Sequence, residues 1–513
     1  MRSARTLLII GVHTCTNALL AQTPDATFGN SGYAIVDVNG WDEQFFDMVV
    51  QPDGRVLAAG TAWGSSSSLG LVCRFTASGD PDPTFSGDGA FFDGFGGADA
   101  QIRGIALQSD GKVVLAGSVA AWDFSYTRAF VLRLQANGSM DGTFGVGGYA
   151  LLDDAAFTQF NELAVDAQGR IVAVGMHLDA DGDLLVARFD ANGNLDTGFD
   201  DAGLHIADIG AYWDELYDVR ILDDGSIVAA GGTNDNGQLT TPVLLKLDDQ
   251  GLPHPGFAGG AGFVEPVGLG AATNLHALPD GRLVTTVAHQ PSMQAAVVRV
   301  VRTLPDGTPD ATFGVGGSTD LGIVPGDCMW AGGVHADANG NVLVGGEVRS
   351  GCSGAGNFFL AALRPDGSPN GFFGNDGYFL TANAALLVGG AVDASGMAMA
   401  DGKMLLSGST NDGAIDGVLL SVTGAVLSVQ TATASEHVQV HPQPAAEEVW
   451  LPTILGSVVD ELLVVDATGR TVLHERRHPV AAPLATHALP NGLYTLRMTV
   501  GGQAHNAELM VQR

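Results

Sequence analysis

The sequence predicts an all-β chain: a seven-bladed β-propeller of four-stranded blades closed by the N-terminal strand, followed by a small C-terminal β-sandwich. Three observations predict it. Two phrases each recur seven times on one beat. Each repeat reads as four short strands around Gly-centred turns. The repeats open with a lone strand and end with three, so head and tail complete one blade.

The chain of 513 residues starts with a basic, apolar, small-residue series: Arg2 and Arg5, the run Leu7–Gly11, then Ala18–Leu20 and Ala21. Residues 1–21 read as a signal peptide, which implies export across the inner membrane. Residues 22–423 carry the repeats. The corner phrase Asp-x-Thr-Phe-Gly, or a variant of it, centres on Phe28, Phe85, Phe144, Phe199, Phe257, Phe313 and Phe373, with spacings of 57, 59, 55, 58, 56 and 60. The fifth corner departs, with His254-Pro255-Gly256 in place of the acidic start. The second phrase is Asp53-Gly54-Arg-Val-Leu-Ala-Ala-Gly60, with counterparts around Gly111, Gly169, Gly225, Gly281, Gly340 and Gly402.

In the first full repeat, Asp47–Gln51 is an apolar strand and Asp53-Gly54 its hairpin turn. Arg55–Gly60 and Leu69–Phe75 follow as strands, then the corner, then Ala90–Asp93. Tyr33–Val38 precedes the first full repeat and is predicted to pair with the last, whose strands are about Met397–Ala400, Lys403–Ser409 and Val418–Val422. At each corner, Asp and Thr are expected to fix the turn through local backbone hydrogen bonds, and Phe to plug between neighbouring blades.

These phrases resemble the delta-60 repeat family over roughly Pro24 to Thr423. The resemblance implies a propeller in a large exported bacterial protein and no agreed activity. Residues 424–437 read as a linker. In residues 438–513, Pro442-Gln-Pro444-Ala445, Asp466-Ala-Thr-Gly469-Arg, Gly492-Leu-Tyr494 and Leu509-Met-Val511 resemble the C-terminal type A sorting domain of type IX secretion cargo. That resemblance implies that Pro442, Pro444, Gly492 and Tyr494 belong to an address read by the type IX secretion machinery. The product is then secreted or attached to the outer cell surface.

Composition narrows the function. Lys+Arg is 23 against 56 Asp+Glu, a net charge of −33, which repels nucleic acid and acidic membrane surfaces. The segment from Val438 is nearly balanced, so the acidity lies in the repeats, where solubility is its expected purpose. With 46% hydrophobic and 15% charged residues the chain has a core to bury. No later segment is apolar enough to span a bilayer, so no stable membrane insertion is expected.

Seven residues before the turn glycines stand Asp47, Gly104, Glu162, Asp218, Asn274, Gly333 and Ser395, on the strands expected to line the channel. Asp47, Glu162, Asp218 and Asn274 offer oxygens for a calcium ring; capping strand ends or facing water is the alternative. No cofactor is required, and Ca²⁺ is the one ion considered. Trp63, Trp122 and Trp330 are candidates for stacking on sugars or for packing inside. The segments Trp63–Ser68, Ala120–Tyr126, Cys328–Trp330 and Arg349–Asn357 read as loops and form the expected contact surface. Cys328 and Cys352 either form one disulfide or stay free. No catalytic motif stands out. The expected function is non-enzymatic binding of an extracellular protein or glycan; the alternative is a hydrolase or lyase acting on extracellular polymers at the channel.

Overall fold

The computed structural model describes residues 22–511 except 39, 65–66, 96–97, 122–124, 154–156, 180, 211, 235–239, 267–268, 293–294, 323–326, 353–355, 372, 375–376, 382–390, 401–402, 412–414, 424–435, 438–447, 450, 452–457, 467–470, 480–482, 488 and 501–502. The signal peptide, Trp122, Pro442 and Pro444 lie outside the described residues. The chain divides into two compact units, Met1–Leu427 and Ser428–Arg513.

The larger unit is a succession of antiparallel sheets, each built from strands consecutive in sequence. The first sheet, unit 1, comprises Asp42–Val50, Val56–Trp63, Ser68–Phe75 and Ala90–Asp93. Unit 2 starts with Asp99–Leu107, unit 3 with Phe157–Val165, unit 4 with Trp213–Ile221, unit 5 with Ala272–Ala277 and unit 6 with Cys328–Ala336. A single parallel bridge, Gly182 to Trp213, joins units 3 and 4. The last sheet holds Ala391–Ala400, Lys403–Asn411 and Ile415–Thr423, and its fourth strand is Tyr33–Val36 from the other end of the chain. Tyr33 stands opposite Leu420 and Val36 opposite Gly417. Asp25 N–H donates to the Ser421 carbonyl at 2.8 Å, continuing that seam.

The first strands are longer than expected because each carries a β-bulge. The register shifts between Phe45 and Asp47, Ile102 and Gly104, Phe160 and Glu162, Leu216 and Asp218, Ala272 and Asn274, Ala331 and Gly333, and Ala394 and Gly396. A bulge breaks the two-residue alternation, so a pattern search ends the strand at the extra residue. For the same reason Cys328–Trp330 opens the first strand of unit 6 instead of forming a loop. The bulge also explains the glycine that closes the second phrase. A Cβ on Gly60 would lie 1.8 Å from the Gln44 carbonyl oxygen, and one on Gly117 1.9 Å from that of Gln101.

Corners hold the units together. Asp82 Oδ1 accepts from the Thr84 amide (3.0 Å) and hydroxyl (2.7 Å), and Asp141–Thr143 and Asp310–Thr312 repeat the arrangement. The other carboxylate oxygen is paired with a third-strand arginine: Arg74 with Asp82, Arg133 with Asp141, Arg188 with Asp196, Arg302 with Asp310, at 2.8–2.9 Å. Each guanidinium lies 4.5–4.8 Å above the corner phenylalanine ring and donates to a turn carbonyl of the following unit. At the closing seam Ser421 stands at the third-strand position, its carbonyl accepting the Asp25 N–H, and Lys403, at the place of Arg55 and Lys112 before the second strand, lies 2.6 Å from Asp25. The phenylalanines are buried, and Phe85 packs against the following unit at Gly138, whose φ of +83° a side chain would strain.

In the smaller unit, Val458–Asp466, Thr471–Pro479, Gly492–Val500 and Gln503–Val511 form one sheet with Glu436–His437 at its edge. Glu436 and His437, expected in the linker, thus pair with His505 and Asn506. A second sheet joins Glu448–Val449 to Leu484–Ala485. Its core includes Val459, Leu462, Val464, Leu484, Leu496 and Leu509. Tyr494 is buried there and donates its hydroxyl to the Pro490 carbonyl at 2.9 Å. Among the described residues no helix is long and apolar enough to cross a membrane.

Candidate functional site

The bulges position the candidate site. Each places an extra residue next to the expected ring position, and in units 1, 3, 4, 5 and 6 both line a cavity of about 220 Å³ where the first strands converge. Its walls are Phe46, Asp47, Arg103, Asn161, Glu162, Tyr217, Asp218, Arg220, Thr273, Asn274, Gly332, Gly333, Val334 and Met397. Asp47, Glu162, Asp218 and Asn274 therefore do share one cavity. In the last unit the ring position belongs to Gly396, not Ser395. The hairpin there runs directly from Ala400 to Lys403, shorter than the Val50–Val56 connection in unit 1.

The ring carboxylates bind backbone. Asp47 accepts from its neighbour Met48 N–H (2.7 Å) and from Ile105 N–H of the next unit (3.1 Å). Asp218 repeats this with Val219 (2.7 Å) and Leu275 (2.6 Å), and pairs with Arg220 at 2.5 Å. Glu162 accepts from Leu163 N–H at 2.8 Å. Asn274 donates to the Ala331 carbonyl at 3.2 Å. Asp47, Asp218 and Asn274 thus staple neighbouring first strands together, whereas Glu162 binds only within its own strand. Asp47, Glu162 and Asp218 are not among the carboxylates whose oxygens converge within cation-binding distance; among the described residues that group is Asp37, Glu43 and Asp416.

Electrostatics follows from one cation among three acids. Burial pushes Asp47 up to about 6 against the two amides and the Arg220 charge. Burial, then the charges of Asp47 and Asp218, push Glu162 well above the carboxylate range. Burial also raises Asp218, despite Arg220. Arg220 stays charged, because the three carboxylates outweigh its burial. Two positions on from Asn274 and Gly333, His276 and His335 meet edge to face at 4.6 Å; burial, then His335 and Arg220, hold His276 down at about 4, so it is neutral.

Sequence reasoning missed the next layer outward. Glu215, buried, accepts from Gln159 (2.5 Å) and Asn161 (2.8 Å) on one oxygen, and from the Trp213 indole N–H and the Tyr217 hydroxyl (both 3.0 Å) on the other. The Arg103 guanidinium stands 5.6 Å over the Phe46 ring, and its Nε has no partner. The signal was in the text: Gln44, Gln101, Gln159, Glu215 and Trp330 all stand three residues before the ring position. Trp330, half-buried, sits under the Arg349 guanidinium at 5.6 Å. Trp63 lies elsewhere, beside a pocket with Ser67, Ser68 and Asp99. Cys328 and Cys352 are joined, with Cα atoms 4.7 Å apart.

A family model described as "Domain of unknown function (DUF5122) beta-propeller" matches residues 51–85, 108–144, 169–199 and 278–313. Solved structures similar to this chain include a protein of unknown function from Dyadobacter fermentans DSM 18053, 12% identical, covering 76% of this chain and 97% of that one with a TM-score of 0.40. Polysaccharide lyase Uly1 is 11% identical over 74% and 90%, with a TM-score of 0.42. Drosophila Semaphorin 2a is 7% identical over 94% and 97%, with a TM-score of 0.43. No curated protein matches the chain. The repeated sheets and the family match make this chain a β-propeller repeat protein.

Proposed function

We propose that this chain is an exported binding protein, a seven-bladed propeller that takes an extracellular glycan at the mouth of its channel. The Trp213–Glu215–Tyr217 cluster carries this reading. Trp213 is exposed at the end of a first strand while its indole N–H, the Tyr217 hydroxyl and two amides fix one carboxylate. A flat ring for a sugar face, beside oriented polar groups for its hydroxyls, is the chemistry of a carbohydrate site. The ring carboxylates, tied to backbone amides, serve the scaffold. A glycan array probed with the full chain tests this: Trp213→Ala abolishing every hit is expected, and undiminished hits overturn it.

A hydrolase or lyase reading rests on Glu162, a cavity carboxyl that burial and the neighbouring acids push well above its ordinary value and that has one hydrogen bond. Product release from any array hit, lost in Glu162→Gln, would establish it. Residues 438–513 we read as a β-sandwich that addresses the protein to type IX secretion, before release or attachment at the cell surface. Normal export after its deletion would exclude that role.

A further inference from the structure

The seam where the chain ends meet holds acids that the channel does not use. Asp37 follows the N-terminal strand Tyr33–Val36, Asp416 lies on Ile415–Thr423, with which that strand pairs, and Glu43 lies on the first strand of unit 1. One oxygen from each lies within 4.8 Å of the other two. Glu43 is 0% exposed; its Oε1 accepts from Val38 N–H at 3.1 Å, and its Oε2 has no hydrogen-bond partner. A buried carboxylate oxygen without a partner, facing two more carboxylates, is costly unless a proton or a cation neutralises it. Among the described residues no lysine or arginine pairs with Asp37 or Glu43, and Asp42, spent on Ile415 N–H at 3.0 Å, adds further negative charge beside them.

We propose that this seam is a calcium site, in which one Ca²⁺ held by Asp37, Glu43 and Asp416 locks the N-terminal strand and the last sheet to unit 1. Three carboxylates make a hard, all-oxygen donor set, and a spacing of up to 4.8 Å spans a calcium ion, whose oxygens sit at about 2.4 Å, better than the smaller magnesium. Asp37 is exposed, which gives the ion a route in, and water completes its shell. The comparison inside the molecule is telling. Asp183, Asp208 and Asp214 occupy the same three register positions between units 3 and 4. There Asp214, also buried, spends one oxygen on two amides, Ile209 and Gly210, and leaves the other without a hydrogen-bond partner, while His177 stands 4.0 Å from Asp183. That triplet does not converge to cation-binding distance. The longer Glu43 side chain distinguishes the closing seam.

The test uses the full chain stripped with EDTA, then titrated with calcium chloride while bound calcium is measured by equilibrium dialysis and Tm by scanning fluorimetry. One equivalent bound, with a Tm rise of about 2–5 °C at saturation, is expected. Glu43→Gln keeps an oxygen for Val38 N–H and removes one ligand charge. It is expected to lose at least tenfold in affinity while its calcium-free Tm equals or exceeds the wild type's. Asp37→Asn, at an exposed position, gives the same loss and serves if Glu43→Gln fails to fold. Asp214→Asn is expected to bind as the wild type does. No bound calcium at millimolar concentration, unchanged affinity in both seam variants, or a response to magnesium alone would overturn the proposal.

Discussion

Replacing Arg302 with methionine should destabilise the propeller more than almost any other charge deletion. The side chain is 1% exposed and serves three partners: Asp310 at 2.8 Å, the Pro365 carbonyl of the next unit at 2.7 Å and the Thr312 hydroxyl at 3.1 Å. Burial alone would raise Asp310, but the Thr312 hydroxyl and amide and then Arg302 hold it at about 2, below 3.8. That displacement corresponds to about 2 kcal/mol. Deleting one partner of a buried pair costs about 3–5 kcal/mol. Arg282, 3.4 Å from the same oxygen, softens the loss, so about 3 kcal/mol is expected. Urea unfolding of the single variants and of the double variant with Asp310→Asn should give a coupling energy of about 1–3 kcal/mol. The sign of the pH dependence is fixed. A carboxyl depressed by folding stabilises above its ordinary value and loses that contribution as pH falls from about 4 through about 2. The deficit of Arg302→Met should therefore shrink in acid. A deficit below about 1 kcal/mol, or one equal at pH 7 and in acid, would refute the role assigned to this pair.

Other consequences are as direct. Gly117→Ala should cost about 3 kcal/mol in thermal unfolding, because its Cβ would meet the Gln101 carbonyl at 1.9 Å. Glu162→Gln keeps the Leu163 hydrogen bond and removes a carboxyl whose ionised form opposes folding. Its Tm should rise above the wild type's at pH 8 and match it at pH 4, and the opposite trend would be inconsistent with the raised carboxyl. Serine at both Cys328 and Cys352 opens a bridge of sequence separation 24 and should cost about 3 kcal/mol, with reductant then having no further effect.

What the sequence made legible was the part set by local chemistry. The Asp-Thr corner forms its own hydrogen bonds within two residues, so the phrase and the structure coincide at Asp82, Asp141 and Asp310. Pairing of Tyr33–Val36 with the last sheet followed from counting strands. The corner arginines escaped because each is embedded in an apolar strand, as in Leu132-Arg133-Leu134, where a strand reading hides a buried cation. Their regularity was nonetheless visible: Arg74, Arg133, Arg188 and Arg302 each stand eight residues before a corner aspartate, and Lys246 eight before His254. Ser395 was misplaced because counting back from a turn glycine assumes one hairpin length. The Glu215 cluster assembles residues from two units, so the fixed place of Gln159 and Glu215 three residues before the ring position marks the layer but not the contact across units.

The acidity of the repeats is therefore not a surface property alone. At the corners each buried aspartate meets a cation of its own, and the charge is neutralised where it is made. In the cavity Arg220 serves Asp47, Glu162 and Asp218 together, and the upward shift of Glu162 reduces the excess that remains. At the closing seam Glu43 has neither a cation partner nor a donor for its second oxygen. Glu43, which burial pushes up to about 7, takes either a proton or a soluble ion as its balance there, and the ion acts at the seam on which completion of the last sheet depends. Completion of the last sheet and cation supply are thereby coupled: removing calcium should loosen Tyr33–Val36 first, seen as faster amide exchange in that strand than in Ala90–Asp93, its counterpart in unit 1. Equal exchange in the two strands without calcium would break the coupling.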